Sequence, residues 1–137
     1  MSIRQIIHDE TILSSPSRKA TKADQHIGND LLDTLQAHSK TCLGMAANMI
    51  GELKNIIAIN DQGNYLLMYN PKIVKKTMPY QTEESCLSVY GVHPCVRYEM
   101  ITVEYKDERF KPKKQTFYGL SAQIIQHEID HLYGILI

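Results

Sequence analysis

Leu120-Ser121-Ala122-Gln123-Ile124-Ile125-Gln126-His127-Glu128-Ile129-Asp130-His131 is the stretch on which the reading of this chain turns. On a strand, a four-residue separation of His127 and His131 would mean nothing. On an α-helix, positions i and i+4 lie on one face and can aim two imidazole nitrogens at one metal ion. Apolar residues at 120, 124, 125, 129 and 132 follow a helical stripe. The segment is therefore expected to be a helix, and the apolar positions beside the histidines imply that it is buried. Glu128 follows the first histidine directly and sits beside the pair. The pattern is that of metal-assisted hydrolysis.

Working outward, residues 24–40 carry apolar side chains at 27, 31, 32 and 35, with Asp24 as candidate N-cap, and read as one amphipathic helix packed on the outside. From Asn55 the texture becomes strand-like. Residues 55–60 and 65–71 flank the turn signal Asp61-Gln62-Gly63-Asn64 and predict a hairpin. Residues 73–77 and 100–105 are further strands, with 115–118 as the return of the latter after a polar turn at 107–109. Strands in the middle with a helix at each end give the α+β class.

At 137 residues and 43% hydrophobic, the chain is sized for a single domain, 1–137, with its own core. Fifteen basic and fifteen acidic residues cancel, so no overall field draws it to DNA or to an anionic membrane. No apolar run has the length of a membrane-spanning helix and the first residues lack a signal-peptide core, which places the chain in the cytoplasm. Three cysteines, an odd count, suit a reducing compartment in which a thiolate can bind metal. Two histidines do not complete a hydrolytic site, so a third ligand is needed. Cys86, in the polar turn Glu83-Glu84-Ser85-Cys86 entering an apolar stretch, is one candidate among the cysteines, remaining histidines and acids. Cys42 and Cys95 read as small buried hydrophobes.

Gln126-His127-Glu128-Ile129-Asp130-His131-Leu132-Tyr133-Gly134 resembles the QHExDHLxG signature of peptide deformylases, and Glu84-Ser85-Cys86-Leu87-Ser88 is similar to their EGCLS motif. Cys42-Leu43-Gly44-Met45-Ala46-Ala47-Asn48-Met49-Ile50-Gly51 resembles their GxGLAAxQxG segment, so the resemblance spans nearly the whole chain. It implies antiparallel β-sheets packed around a central helix that carries the two histidines. It also implies removal of the formyl group from N-formylmethionyl ends of nascent chains. Carried over, the metal ligands are Cys86, His127 and His131, and Glu128 moves the proton between water and departing amine. Asp130 has a supporting role. The Leu87 N–H is one donor to the developing oxyanion. The donor set suits ferrous iron, zinc, nickel or cobalt, and iron is what the resemblance implies. Leu43 and Gly44 would pair with an extended peptide, while Ile124, Ile125 and Gln126 are candidates for the methionine pocket.

The chain departs from the pattern at chemically relevant places. The motif glutamine, the other oxyanion donor, is Met49, whose thioether donates nothing. Loss of one such donor costs about a hundredfold to a thousandfold in turnover. Reduced activity is therefore expected, unless neighbouring Asn48 substitutes; if 45–50 is a strand, Asn48 points away from Met49. The alternative functions are a deformylase-like metal- and peptide-binding or regulatory protein, and a hydrolase of another N-acyl amide. Cys42 and Ser85 replace motif glycines and narrow the groove, and Tyr90 stands where many members have proline. Arg97 and His93 are expected at the surface. Lys111-Pro112-Lys113-Lys114 reads as a solvated turn, with a ribosome-facing patch as its alternative.

Overall fold

The computed structural model describes residues 2–137. In chain order it contains α1 (Glu10–Leu13), α2 (Gln25–Ala37), β1 (Gly44–Ala46), β2 (Ile56–Asp61), β3 (Asn64–Glu84), β4 (His93–Lys106), β5 (Pro112–Tyr118) and α3 (Gly119–Leu132). The strands join in sequence order into one antiparallel five-stranded sheet, rather than the several sheets that the resemblance implied. The class is α+β.

The amphipathic helix starts and ends inside its expected span. Ile27, Leu31 and Leu35 of α2 are buried, and Leu32 is half-buried. Asp24 stands at the N-cap position of this helix, as expected, but its side chain makes no capping bond. Its carboxylate accepts the Thr21 N–H at 2.8 Å, closing a 3-10 turn at Lys22–Asp24, and pairs with Lys54 at 3.4 Å.

The hairpin between β2 and β3 forms with Asp61 opposite Asn64. Both turn residues, Gln62 and Gly63, have positive φ, the conformation that matches a two-residue turn to the twist of its strands. The separate strand expected at 73–77 is instead the middle of β3, which runs on to Glu84. Pro71 offers no ladder N–H, so β3 crosses it in a bulge, with Asn70 at φ +53°. The Asn70 amide grips Ala20 on both sides, accepting its N–H at 2.8 Å and donating to its carbonyl at 2.9 Å. Through this extension Glu83 and Glu84 end a strand instead of forming a polar turn. Similarly, Pro112–Lys114 is not a solvated turn but the start of β5, whose exposed lysines lie on the sheet's edge strand.

Ile56, Ile57, Ala58 and Ile59 of β2 are all fully buried. Alternate strand residues point to opposite faces, so both faces of β2 are covered, and both α2 and α3 pack against it. α3 also packs on β1, β4 and β5. After β1 the chain turns through a 3-10 segment, Ala47–Ile50, that ends on Gly51 in the left-handed region. The strand considered for 45–50 thus stops at Ala46.

Candidate metal centre

α3 presents His127 and His131 one turn apart, and the strap after β3 brings Cys86 to them. The two Nε2 atoms are 3.1 Å apart, and the ligating atoms of Cys86, His127 and His131 all lie within 4.8 Å of one another. Both histidines are buried and Cys86 is half-buried. Burial disfavours the His127 imidazolium, but the Cys86 thiol and the Glu84 carboxylate outweigh it and raise His127 to about 10. Burial, followed by the charges of His127 and Arg97, lowers His131 to about 3. The cluster accommodates one positive charge among a thiol and two converging ring nitrogens. A Cys-His-His donor set of this kind fits a divalent transition metal.

A charged network holds His127 from behind. His127 Nδ1 donates to Glu84 Oε1 at 2.7 Å, since the carboxylate can only accept. Arg97 binds the same carboxylate through Nε and Nη2 at 2.8–3.1 Å and reaches Asp130 Oδ2 through Nη1 at 2.7 Å. Gln123 Nε2 donates to Glu84 Oε2 at 2.8 Å. Burial alone would raise Glu84, but the His127, Arg97 and Gln123 bonds together hold it well below the usual carboxylate range. Arg97 is only 4% exposed, which corrects the surface role expected for it: its charge is matched by two carboxylates from different elements. His93 does lie near the surface, its Nε2 2.9 Å from the Tyr90 carbonyl. Sequence reading missed Glu84. The signal available was alternation along the long strand, and that strand was not foreseen.

Glu128 faces the other way, into a cleft of about 410 Å³ lined by Leu43, Gly44, Met49, Cys86, Leu87 and Ile124 together with His127. Burial raises its carboxyl to about 7, against the lowering effect of His127. Its Oε1 has no hydrogen-bond partner among the described residues. Gly44 permits the close pass of β1 over this helix: a Cβ there would sit 2.5 Å from Ile124 Cγ2 and 3.0 Å from Glu128 Oε2. Ile125 and Gln126 are not in the cleft. Ile125 is in the core, and the Gln126 amide is bonded to the Tyr98 backbone, which removes both from the expected methionine pocket.

Met49 is 1% exposed, with Sδ accepting the Ala46 N–H at 3.4 Å and lying 4.0 Å from Cys86 Sγ. Asn48 does not substitute as a donor at the cleft, because its Nδ2 is engaged on the His131 carbonyl at 2.8 Å. Cys42 and Cys95 are half-buried rather than core residues. Cys42 lines the cleft, where burial and then Glu128 push its thiol up to about 12 and Sγ donates to the Gly44 carbonyl. Ser85 also lines the cleft, while Tyr90 is exposed and stacks on His8.

Comparison with known proteins gives the same grouping. The family model described as polypeptide deformylase matches residues 3–137. A peptide deformylase of Clostridium beijerinckii is 49% identical over 98% of this chain and 99% of its own length. Peptide deformylase 2 of Clostridium acetobutylicum is 36% identical, over 99% and 93% respectively. Among solved structures, the peptide deformylase of Ehrlichia chaffeensis in complex with actinonin superposes with a TM-score of 0.88 at 30% identity, covering 99% of this chain and 87% of its own. A class I type b enzyme from Acinetobacter baumannii gives a TM-score of 0.88 at 26% identity, covering 99% and 97%. The chain belongs to the polypeptide deformylase family.

Proposed function

We propose that this chain is a metal-dependent peptide deformylase that removes the formyl group from N-formylmethionyl ends of nascent peptides. The observation that carries the reading is Glu128: a buried carboxyl in the cleft, adjacent to His127, with one oxygen unpartnered and its pKa raised to about 7. A proton-transfer group works best with a pKa near the operating pH.

Cys86, His127 and His131 would hold the metal. Once bound there, it supplies Lewis-acid activation of a water and of the formyl oxygen. Glu128 takes the proton of the attacking water and delivers it to the amine as the C–N bond breaks, giving formate and a free N-terminal methionine. The Leu87 N–H donates to the oxygen that gains charge, and Met49 adds no donor beside it. Leu43, exposed just before edge strand β1, and Gly44, the buried first residue of that strand, offer backbone groups to an extended peptide, which accepts varied sequences beyond the methionine. Ile124 supports the apolar contact with its side chain. Ferrous iron is the resident ion we favour, with zinc, nickel and cobalt compatible with the same donors. The setting is cytoplasmic, where nascent formylated chains are available, and no described helix is long and apolar enough to cross a membrane.

Turnover of a formyl-Met peptide by anaerobically prepared, metal-loaded protein tests the assignment. The expected result is formate release that falls by about two to four orders of magnitude in Glu128→Gln at unchanged metal content. Fully loaded wild-type protein that releases no formate refutes it.

A further inference from the structure

The two ligand histidines differ in what holds their outer nitrogens. His127 Nδ1 has the Glu84 carboxylate, whereas His131 Nδ1 is buried and has no hydrogen-bond partner among the described residues. His131 turns Nε2 toward His127, so a metal held between them takes Nε2 and leaves the hydrogen on Nδ1. A metal-bound imidazole ordinarily gives that outer N–H to an acceptor, which fixes its tautomer and ring orientation.

Asn48 is the side chain already fastened to this turn. It is fully buried, and its Nδ2 donates to the His131 backbone carbonyl at 2.8 Å. Its Oδ1 is a second buried polar atom without a partner among the described residues. One orphaned donor and one orphaned acceptor thus sit on two residues that a hydrogen bond already joins, and both residues are 0% exposed. Two unmatched polar atoms so placed in a protein interior are the setting in which a buried water is retained.

We propose that Asn48 is the positioning residue of His131. Its Nδ2 fixes the backbone of the last helical turn, and its Oδ1, through one buried water, accepts the His131 Nδ1 hydrogen and so keeps the Nε2 lone pair aimed at the metal. Asn48 and Glu84 then serve the two histidines in parallel, one through a neutral amide and the other through a carboxylate. The inference rests on the reading of Cys86, His127 and His131 as metal ligands.

The test uses the full chain loaded with zinc, which is diamagnetic, with 15N-labelled histidine rings. The wild type should bind one zinc and show a slowly exchanging His131 Nδ1 proton. In Asn48→Leu that signal should be lost, and zinc should pass to a chelator about tenfold to a hundredfold faster. Asn48→Asp keeps an acceptor at Oδ1 but loses the Nδ2 bond to the His131 carbonyl, so it should retain the protected Nδ1 proton while releasing zinc faster than the wild type and more slowly than Asn48→Leu. Failure of the wild type to bind zinc overturns the metal reading itself. Zinc bound, with no protected Nδ1 proton in the wild type, overturns the Asn48 role alone. So does a melting temperature that falls in Asn48→Leu while zinc release stays unchanged, which would make Asn48 merely structural. Should Asn48→Leu not fold, the Nδ1 proton signal of the wild type and its retention in Asn48→Asp decide.

Discussion

At position 49 the family glutamine and this chain's methionine are nearly the same length and differ chiefly in the ability to donate. Met49 Sδ accepts the Ala46 N–H, so in Met49→Gln the amide oxygen can take over that bond and leave its NH₂ facing the Cys86 side of the cleft. Turnover should rise by about a hundredfold to a thousandfold with KM changed little, because the new donor acts where charge develops. Formate release measured at saturation checks this, and an unchanged kcat would show that the second donor is dispensable here. Gly44 carries the opposite prediction. In Gly44→Ala the added methyl would press on the Ile124 side chain and approach the Glu128 carboxylate. Both kcat and KM should worsen in steady-state kinetics, while the zinc release rate holds because no ligand is touched. The motifs pointed to Cys86, His127, His131 and Glu128, and the structure brings the first three together, since motif chemistry is local. Asn48 was not legible in this way: its partner is a backbone carbonyl 83 positions away, and side-chain pattern does not report backbone acceptors.

β3 was foreseen as two strands with a polar turn after them, because Asn70-Pro71 and the charged end at Glu83-Glu84 look like punctuation. The bulge carries the strand through the first interruption. Arg97 of β4 and Gln123 of α3 make the second one buriable, by neutralising and bonding Glu84. The same long-range pairing explains why Arg97 read as a surface residue: its partners come from β3 and α3, and neither is near in sequence. Removing it tests the network. Arg97→Ala leaves the Glu84 carboxylate buried with His127 and Gln123 only and leaves Asp130 without its guanidinium. Breaking one partner out of such a buried pair costs about 3–5 kcal/mol, to be read from the urea midpoint of the metal-free chain. Zinc release should quicken as well, because the group that orients His127 is weakened. Arg97→Lys should recover only part of the loss, as an ammonium cannot grip the carboxylate with two parallel bonds. A midpoint unchanged in Arg97→Ala would mean that Glu84 does not depend on it.

Over the whole molecule, the N-terminal segment ties the sheet-side helix to the motif loops, a feature that no motif announces. The Ser2 N–H and the Arg4 guanidinium both bind Asp30 on α2 at 2.8 Å, Arg4 also reaches Glu52 at 3.2 Å, and the Ile7 N–H bonds the Met49 carbonyl at 2.9 Å. Burial pushes the Asp30 carboxyl up, but the Ser2 and Arg4 bonds outweigh it and hold Asp30 below its ordinary value of 3.8. A carboxyl whose folded value is depressed binds its proton more readily in the unfolded chain. Its contribution to stability is therefore complete above the ordinary value and fades as pH falls through that value toward the folded one. Arg4 is partly exposed, so water screens the pair and the effect is modest, but its direction is fixed. Urea midpoints of wild type and Asp30→Asn should differ at pH 7, with the wild type more stable, and the gap should narrow as pH falls below 3.8. Comparing the two chains at each pH removes the acid sensitivity of the metal centre, which they share. A gap that stays constant from pH 7 to pH 3 would show that Asp30 acts through its shape and hydrogen bonds rather than its charge. The N-terminal tie would then be independent of pH.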